Sequence, residues 1–269
     1  NDILEQENDE DLVGYVAQFD NYEGGTVNFM EWIGSNGVTD IYDQFGGAAM
    51  EQNGIKEAMT FLKGLIPPSG ESDLIDSDYI IPRSALTFNE GSSQEVWLAG
   101  NAIFIRQWTY IYLLSQNAGL DFGVADLPGF QGVQNPKTSC VGGALLSIST
   151  YSQQKNLAMN LIRFLGDSKA QKAELTEVGN FPALKSVYDD LPSGFSYVNK
   201  WSTQLDKTLA RPVDANYSDI SSEISNYFNE IISCESSVDQ GLAEMDSRVE
   251  GAMAERPQEI PSYNVAVLL

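Results

Sequence analysis

The 269-residue chain sets 38 Asp and Glu against 15 Lys and Arg, a formal net charge of −23, and is 42% hydrophobic and 10% aromatic. That is enough apolar sequence for one large domain or two modest ones. A surface so acidic, with no Lys/Arg cluster, repels phosphate backbones and argues against nucleic acid as a partner.

The acidity reads either as plain solubility or as adaptation to a salt-rich habitat. No apolar run approaches membrane-spanning length. The sequence opens at Asn1 without a basic-then-apolar leader pattern, which leaves the compartment open.

In chain order, residues 1–13 carry no strong periodicity. Gly14–Phe19 reads as a short strand, and Tyr22–Ser35 as an aromatic-rich helix stopped at Asn36-Gly37. Ile55, Ala58, Met59, Leu62, Leu65 and Ile66 recur at helical spacing until Pro67-Pro68 forbids continuation. Residues 69–82 read as a polar loop and Ser84–Leu98 as a helix. Ala102–Arg106 is a β-type run leading into Trp108-Thr109-Tyr110. Phe122–Leu127 and Ala144–Ser149 are further strand expectations, separated by a Gly/Pro/Asn loop. Leu157, Ala158, Leu161, Ile162 and Leu165 predict an amphipathic helix, and Ile220 to Ile232 a late one. The tail from Glu255, residues 256–269 included, reads as a weakly defined terminus. Strands alternating with helices point to an α/β fold.

Histidine is absent. This removes the usual general base, the usual metal ligand and every Ser-His or Cys-His nucleophile pair, while leaving carboxylate-only chemistry open. Cys140 and Cys234 match no metal or redox spacing and read as free, half-buried thiols. No spaced Asp/Asn loop of the Ca²⁺-binding kind is present, so no cofactor or metal is expected.

Four segments, in order, carry a resemblance. They are Tyr22-Glu23-Gly24 with Asn28-Phe29-Met30-Glu31-Trp32 and Ser35-Asn36-Gly37; Ala99-Gly100-Asn101-Ala102 with Arg106-Gln107-Trp108-Thr109-Tyr110; Phe122-Gly123-Val124-Ala125 and Leu127-Pro128 with Gly142-Gly143 and Ile148-Ser149; and Ala210-Arg211-Pro212-Val213 with Tyr217 and Ile220-Ser221. Together they resemble the family 1 extracellular solute-binding proteins of carbohydrate ABC transporters, nearest the trehalose/maltose-binding branch. The resemblance implies a periplasmic-binding-protein-like, two-lobed α/β clamshell of class II. Residues 14–138 and 195–255 would form the C-terminal lobe, and 140–190 a returning segment of the N-terminal lobe. The family's first hundred or so residues have no counterpart, so the resemblance further implies an N-terminally truncated chain that carries about half the cleft. Such a chain is expected to bind sugar poorly and to expose an unpaired sheet edge.

The resemblance also nominates site residues. Trp108 and Tyr110, read as alternating on a strand, point the same way and offer faces for sugar C–H patches. Gly142 and Gly143 permit close backbone approach; Ala144 stands where near relatives carry Trp, and Thr109 where they often carry Pro. Arg211 can serve two hydroxyls with its planar fork, and Tyr22 and Glu23 line the C-terminal lobe's edge. The implied function is a binder, not an enzyme: a periplasmic or extracellular monomer, lipoprotein-anchored, that delivers a disaccharide or small oligosaccharide to membrane permease subunits. The alternatives are a carboxylate-dependent glycoside-processing enzyme and a non-transport carbohydrate-binding or adhesion module.

Overall fold

The computed structural model describes residues 2–7, 11–70, 79–201, 205 and 207–254. The expected tail from Glu255 and the middle of the expected 69–82 loop lie outside these residues. The described elements are α1 (Asp2–Glu7), β1 (Val13–Val16), α2 (Glu23–Ser35), α3 (Asn53–Lys63), a 3-10 turn (Arg83–Thr87), α4 (Glu90–Leu98), β2 (Ala102–Ile105), α5 (Ile111–Asn117) and β3 (Ser139–Cys140). There follow α6 (Lys155–Leu165), α7 (Ser168–Glu177), α8 (Lys185–Tyr188), α9 (Tyr197–Trp201), β4 (Thr208–Leu209), α10 (Tyr217–Ile232) and α11 (Val238–Ala254).

The chain divides into two compact units. The first takes the chain up to Gln107, then Phe122–Val141, then the part from Lys207 onward. The second takes Trp108–Asp121 and the stretch from Gly142 to the return at Lys207. This division differs from the expected lobes in placing Trp108–Asp121, and the described residues between 195 and the return at Lys207, with the segment after Gly142.

In the first unit, β1 and β2 pair in parallel, with Val13 opposite Ala102 and Val16 opposite Ile105. β3 and β4 form a second parallel pair, with Cys140 opposite Leu209. The core lies among α2, α10 and α11. Ile220, Ile224, Tyr227, Phe228, Ile231 and Ile232 of α10 are all buried, so the 3.6-residue pattern read from sequence is the packed face. Phe228 meets Phe19 and Phe29 edge-to-face at centroid separations of 6.0 and 5.9 Å, the geometry ring quadrupoles favour.

The expected helix over Ser84–Leu98 is broken in two. Phe88 is extended, and the Asn89 side chain accepts from the amides of Gly91 and Ser92 while the Asn89 amide donates to the Ser92 hydroxyl. That capping box starts a new helix at Glu90, because a satisfied N-terminus competes with continuing the preceding turn. Sequence reading also missed α11, whose apolar residues are interrupted by Gly241 and Gly251.

The second unit is helical among its described residues. Leu175, Val187 and Val198 are fully buried, and Tyr112, Tyr197 and Trp201 gather with centroids 4.0–5.1 Å apart. The expected strand Ala144–Ser149 does not form, and neither does Phe122–Leu127 in the first unit. An extended run becomes a strand only when a neighbour takes its amides and carbonyls, and no described segment pairs with either. Helix α6 has the predicted amphipathic pattern but buries none of it: Leu157, Leu161 and Phe164 are 65%, 56% and 62% exposed.

Candidate functional site

Two groups of the nominated residues are brought together, one in each unit. In the first unit, Glu23 opens α2, where the positive end of the helix favours a carboxylate. It is a hub. Arg211 Nη1, the Tyr217 hydroxyl and the Ser221 hydroxyl all donate to it. Arg211 also lies over the Tyr217 ring, 5.9 Å from its centroid, and its Nη2 donates to the Val141 carbonyl at 3.4 Å.

Burial by itself would raise the Glu23 carboxyl. The hydrogen bonds from Ser221, Tyr217 and Arg211, with the Arg211 charge, outweigh it and hold the group below the usual carboxylate range. The Tyr217 phenol moves the other way, pushed up to about 12 by burial and then by its bond to Glu23. The result is a fixed anion and a fixed cation, both part-exposed, at 42% for Glu23 and 29% for Arg211. Such a pair presents guanidinium N–H donors and carboxylate acceptors without net charge.

Tyr22, although adjacent, belongs elsewhere. Its hydroxyl donates to Glu90 Oε2 at 2.7 Å, tying the start of α2 to α4. Burial, then this bond, raises the phenol above its ordinary value.

In the second unit, Trp108 and Tyr110 are half-buried and Thr109 is exposed. They do not alternate on a strand as expected. β2 ends at Ile105, and the chain turns at once, with the Ile111 amide bonding the Trp108 carbonyl and Tyr112 bonding Thr109. The pleat argument for a shared direction therefore fails, because the turn that begins α5 replaces the strand. Gly142 is held tightly against Trp108: a Cβ at Gly142 would lie 2.5 Å from Trp108 Cζ3, so any larger residue there must displace the ring. Gly143 follows with φ of +152° and open space around it.

Two further parts of this arrangement fall in segments that carry the resemblance, with no role expected of them there. Ser221 and Tyr217 complete the Glu23 hub, and the signal was a serine on the buried face of an otherwise apolar helix. Glu31 and Arg106, 6% and 4% exposed, form a buried two-pronged ion pair at 2.7 and 2.8 Å. The signal there was a charge in each of two apolar runs. Among the described residues no Cys/Asp/Glu cluster could hold a metal ion, and no helix is long and apolar enough to cross a membrane.

No protein-family profile matches the chain. A "Probable ABC transporter-binding protein" of Deinococcus radiodurans is 31% identical over 190 residues, covering 69% of this chain and 42% of that protein. Among solved structures, maltose-bound MalE3 of T. maritima matches 93% of this chain and 62% of its own, with a TM-score of 0.78 and 25% identity. A solute-binding protein of Thermotoga lettingae bound with α-D-tagatose matches 92% of this chain and 61% of its own, at a TM-score of 0.74 and 19% identity, a likeness of fold. The chain thus has the periplasmic-binding-protein fold and spans less than two thirds of the proteins it resembles.

Proposed function

We propose that this chain, a member of the family 1 extracellular solute-binding proteins, is part of the sugar-binding component of an ABC importer. The observation that carries the reading is the likeness to maltose-bound MalE3 over 93% of the chain. The first unit serves as most of the C-terminal lobe and the second as the returning segment of the N-terminal lobe. Trp108 and Tyr110 supply aromatic faces for sugar C–H patches, and Gly142 and Gly143 supply close backbone. Arg211, held by Glu23, supplies a pre-set fork of donors for ring hydroxyls. Tyr22 acts from the second rank, through Glu90. The ligand is a disaccharide or small oligosaccharide, and the protein works outside the cytoplasm as a monomer, lipoprotein-anchored, handing sugar to permease subunits. The named relatives are binding proteins, and the site needs no cofactor.

The test is tryptophan emission and thermal melting of the natural protein that carries this chain, against a panel of neutral mono-, di- and trisaccharides. A saturable shift with one class of sugar, without turnover, is expected. No shift with any sugar would overturn the reading.

A further inference from the structure

The chain leaves the first unit after Gln107 and again after Val141, and re-enters it at Phe122 and at Lys207. Within the first unit, one carboxylate reaches the two exits. Glu31 accepts Arg106 Nε at 2.7 Å and Arg106 Nη2 at 2.8 Å, and its Oε1 also accepts the Cys140 amide at 3.0 Å. Arg106 is one residue before Gln107, and Cys140 is one before Val141. The second re-entry is bound to the second exit, because β3 pairs with β4 and the Val141 amide donates to the Leu209 carbonyl at 2.9 Å.

The guanidinium is held from further sides. Gln18 Oε1 accepts Arg106 Nη1 at 2.8 Å, and Gln18 Nε2 donates to the Arg106 carbonyl at 3.0 Å and to Ser93 at 2.9 Å. The Arg106 amide continues the β1 ladder by donating to the Val16 carbonyl at 3.0 Å. Glu31, Gln18 and Arg106 are all buried. Burying two full charges is costly, and an apolar pair of the same size would serve core stability as well or better. What such a pair cannot do is accept a backbone amide from a second strand at a fixed distance.

We propose that Glu31 is a positioning residue: through Arg106 and the Cys140 amide it sets where the chain departs toward Trp108 and toward Gly142, each two residues further on. Its consequence for affinity rests on the sugar-binding reading of those two residues; its consequence for Trp108 itself does not.

In the natural protein labelled with 5-fluorotryptophan, the ¹⁹F resonances of Trp108 and Trp201, two of the four tryptophans of this chain, are assigned by W108F and W201F. E31D keeps the charge and withdraws the carboxylate; R106K keeps the charge and loses the two-pronged hold. In either variant, at a temperature where circular dichroism shows it folded, the Trp108 resonance is expected to shift or broaden while that of Trp201 stays. Sugar affinity is expected to fall at least tenfold. A pair that serves core stability alone would lower Tm and leave the Trp108 resonance and the affinity as in the wild type; that result overturns the proposal. The wild type gives a check free of any variant: the Cys140 amide should exchange with solvent at least a hundredfold more slowly than exposed loop amides, and unprotected exchange overturns the anchor. If the wild type takes no sugar, the proposed function falls while the Trp108 and Cys140 signals still decide the anchor.

Discussion

The Trp108 ring occupies the place a side chain on Gly142 would need, with Cζ3 2.5 Å from an ideal Cβ. Carbon atoms do not approach so closely, so G142A must push the ring aside. The expected outcome is at least a tenfold loss of sugar affinity and a changed Trp108 emission, with Tm lowered by no more than a few degrees, because the contact lies on a half-buried ring and not in the core. Titration by fluorescence, with W108F as the reference for the lost signal, checks it. Unchanged affinity in G142A would remove Trp108 from the site.

The Glu23 hub predicts an order among variants. R211K keeps the charge but loses the planar fork, and is expected to weaken sugar binding by roughly 1.5–3 kcal/mol, the scale of a lost hydrogen bond to a charged group. E23Q leaves Arg211 unpaired and less fixed, and should weaken neutral sugars less than R211A does. The carboxyl is held below the usual range, so its folded pKa is depressed; the ion pair is intact above the unfolded carboxylate pKa and is lost as pH falls through the folded value. Affinity should therefore be flat around neutrality and decline only on acidification below the usual carboxylate range. Isothermal titration across that range checks the sign, and a decline centred near neutrality would point to another group.

How much of this was legible in the sequence depends on what each residue is answering to. The α10 face and α3 were readable because apolar side chains at helical spacing have one good solution, burial against a neighbour. That Arg211 has a specific acidic partner follows from how scarce basic residues are in so acidic a chain, but nothing local to it points to Glu23, 188 positions earlier. The run Ala144–Ser149 reads as a strand and is none among the described residues, since strand formation is a property of pairs and the pairing partner is not encoded in the run itself. Trp108 and Tyr110 are half-buried, and the strand expected to carry them gives way to a turn. A β-type run does not announce the residue at which it turns.

The two thiols differ sharply in environment. Cys140 is 5% exposed, and burial, followed by the charge of Glu31, pushes its thiol up to about 12. Cys234 is exposed. At pH 8 a chromogenic disulfide should modify one thiol within minutes and the second only on unfolding, since the thiolate is the nucleophile. Counting released thiolate before and after adding denaturant, with C234S to assign the fast site, checks it. Two fast thiols would mean that the β3–β4 pair opens readily.

Cys234 also offers a route to a more stable chain. It follows α10 with φ of +69°, the left-handed region, and the amides of Glu235 and Ser236 reach back to the Glu230 carbonyl as a helix stop requires. A residue with a Cβ is strained there, whereas glycine adopts this conformation at little cost and is the common choice just past a helix end. The side chain is exposed, so removing it sacrifices little burial. C234G is expected to raise the unfolding free energy by about 0.5–1 kcal/mol despite the added freedom of the unfolded chain. C234A keeps the Cβ and should leave stability within about 0.3 kcal/mol of the wild type. Urea midpoints of the three proteins at a common m-value decide the matter: a C234G midpoint at or below that of C234A would show that the helix end carries no such strain.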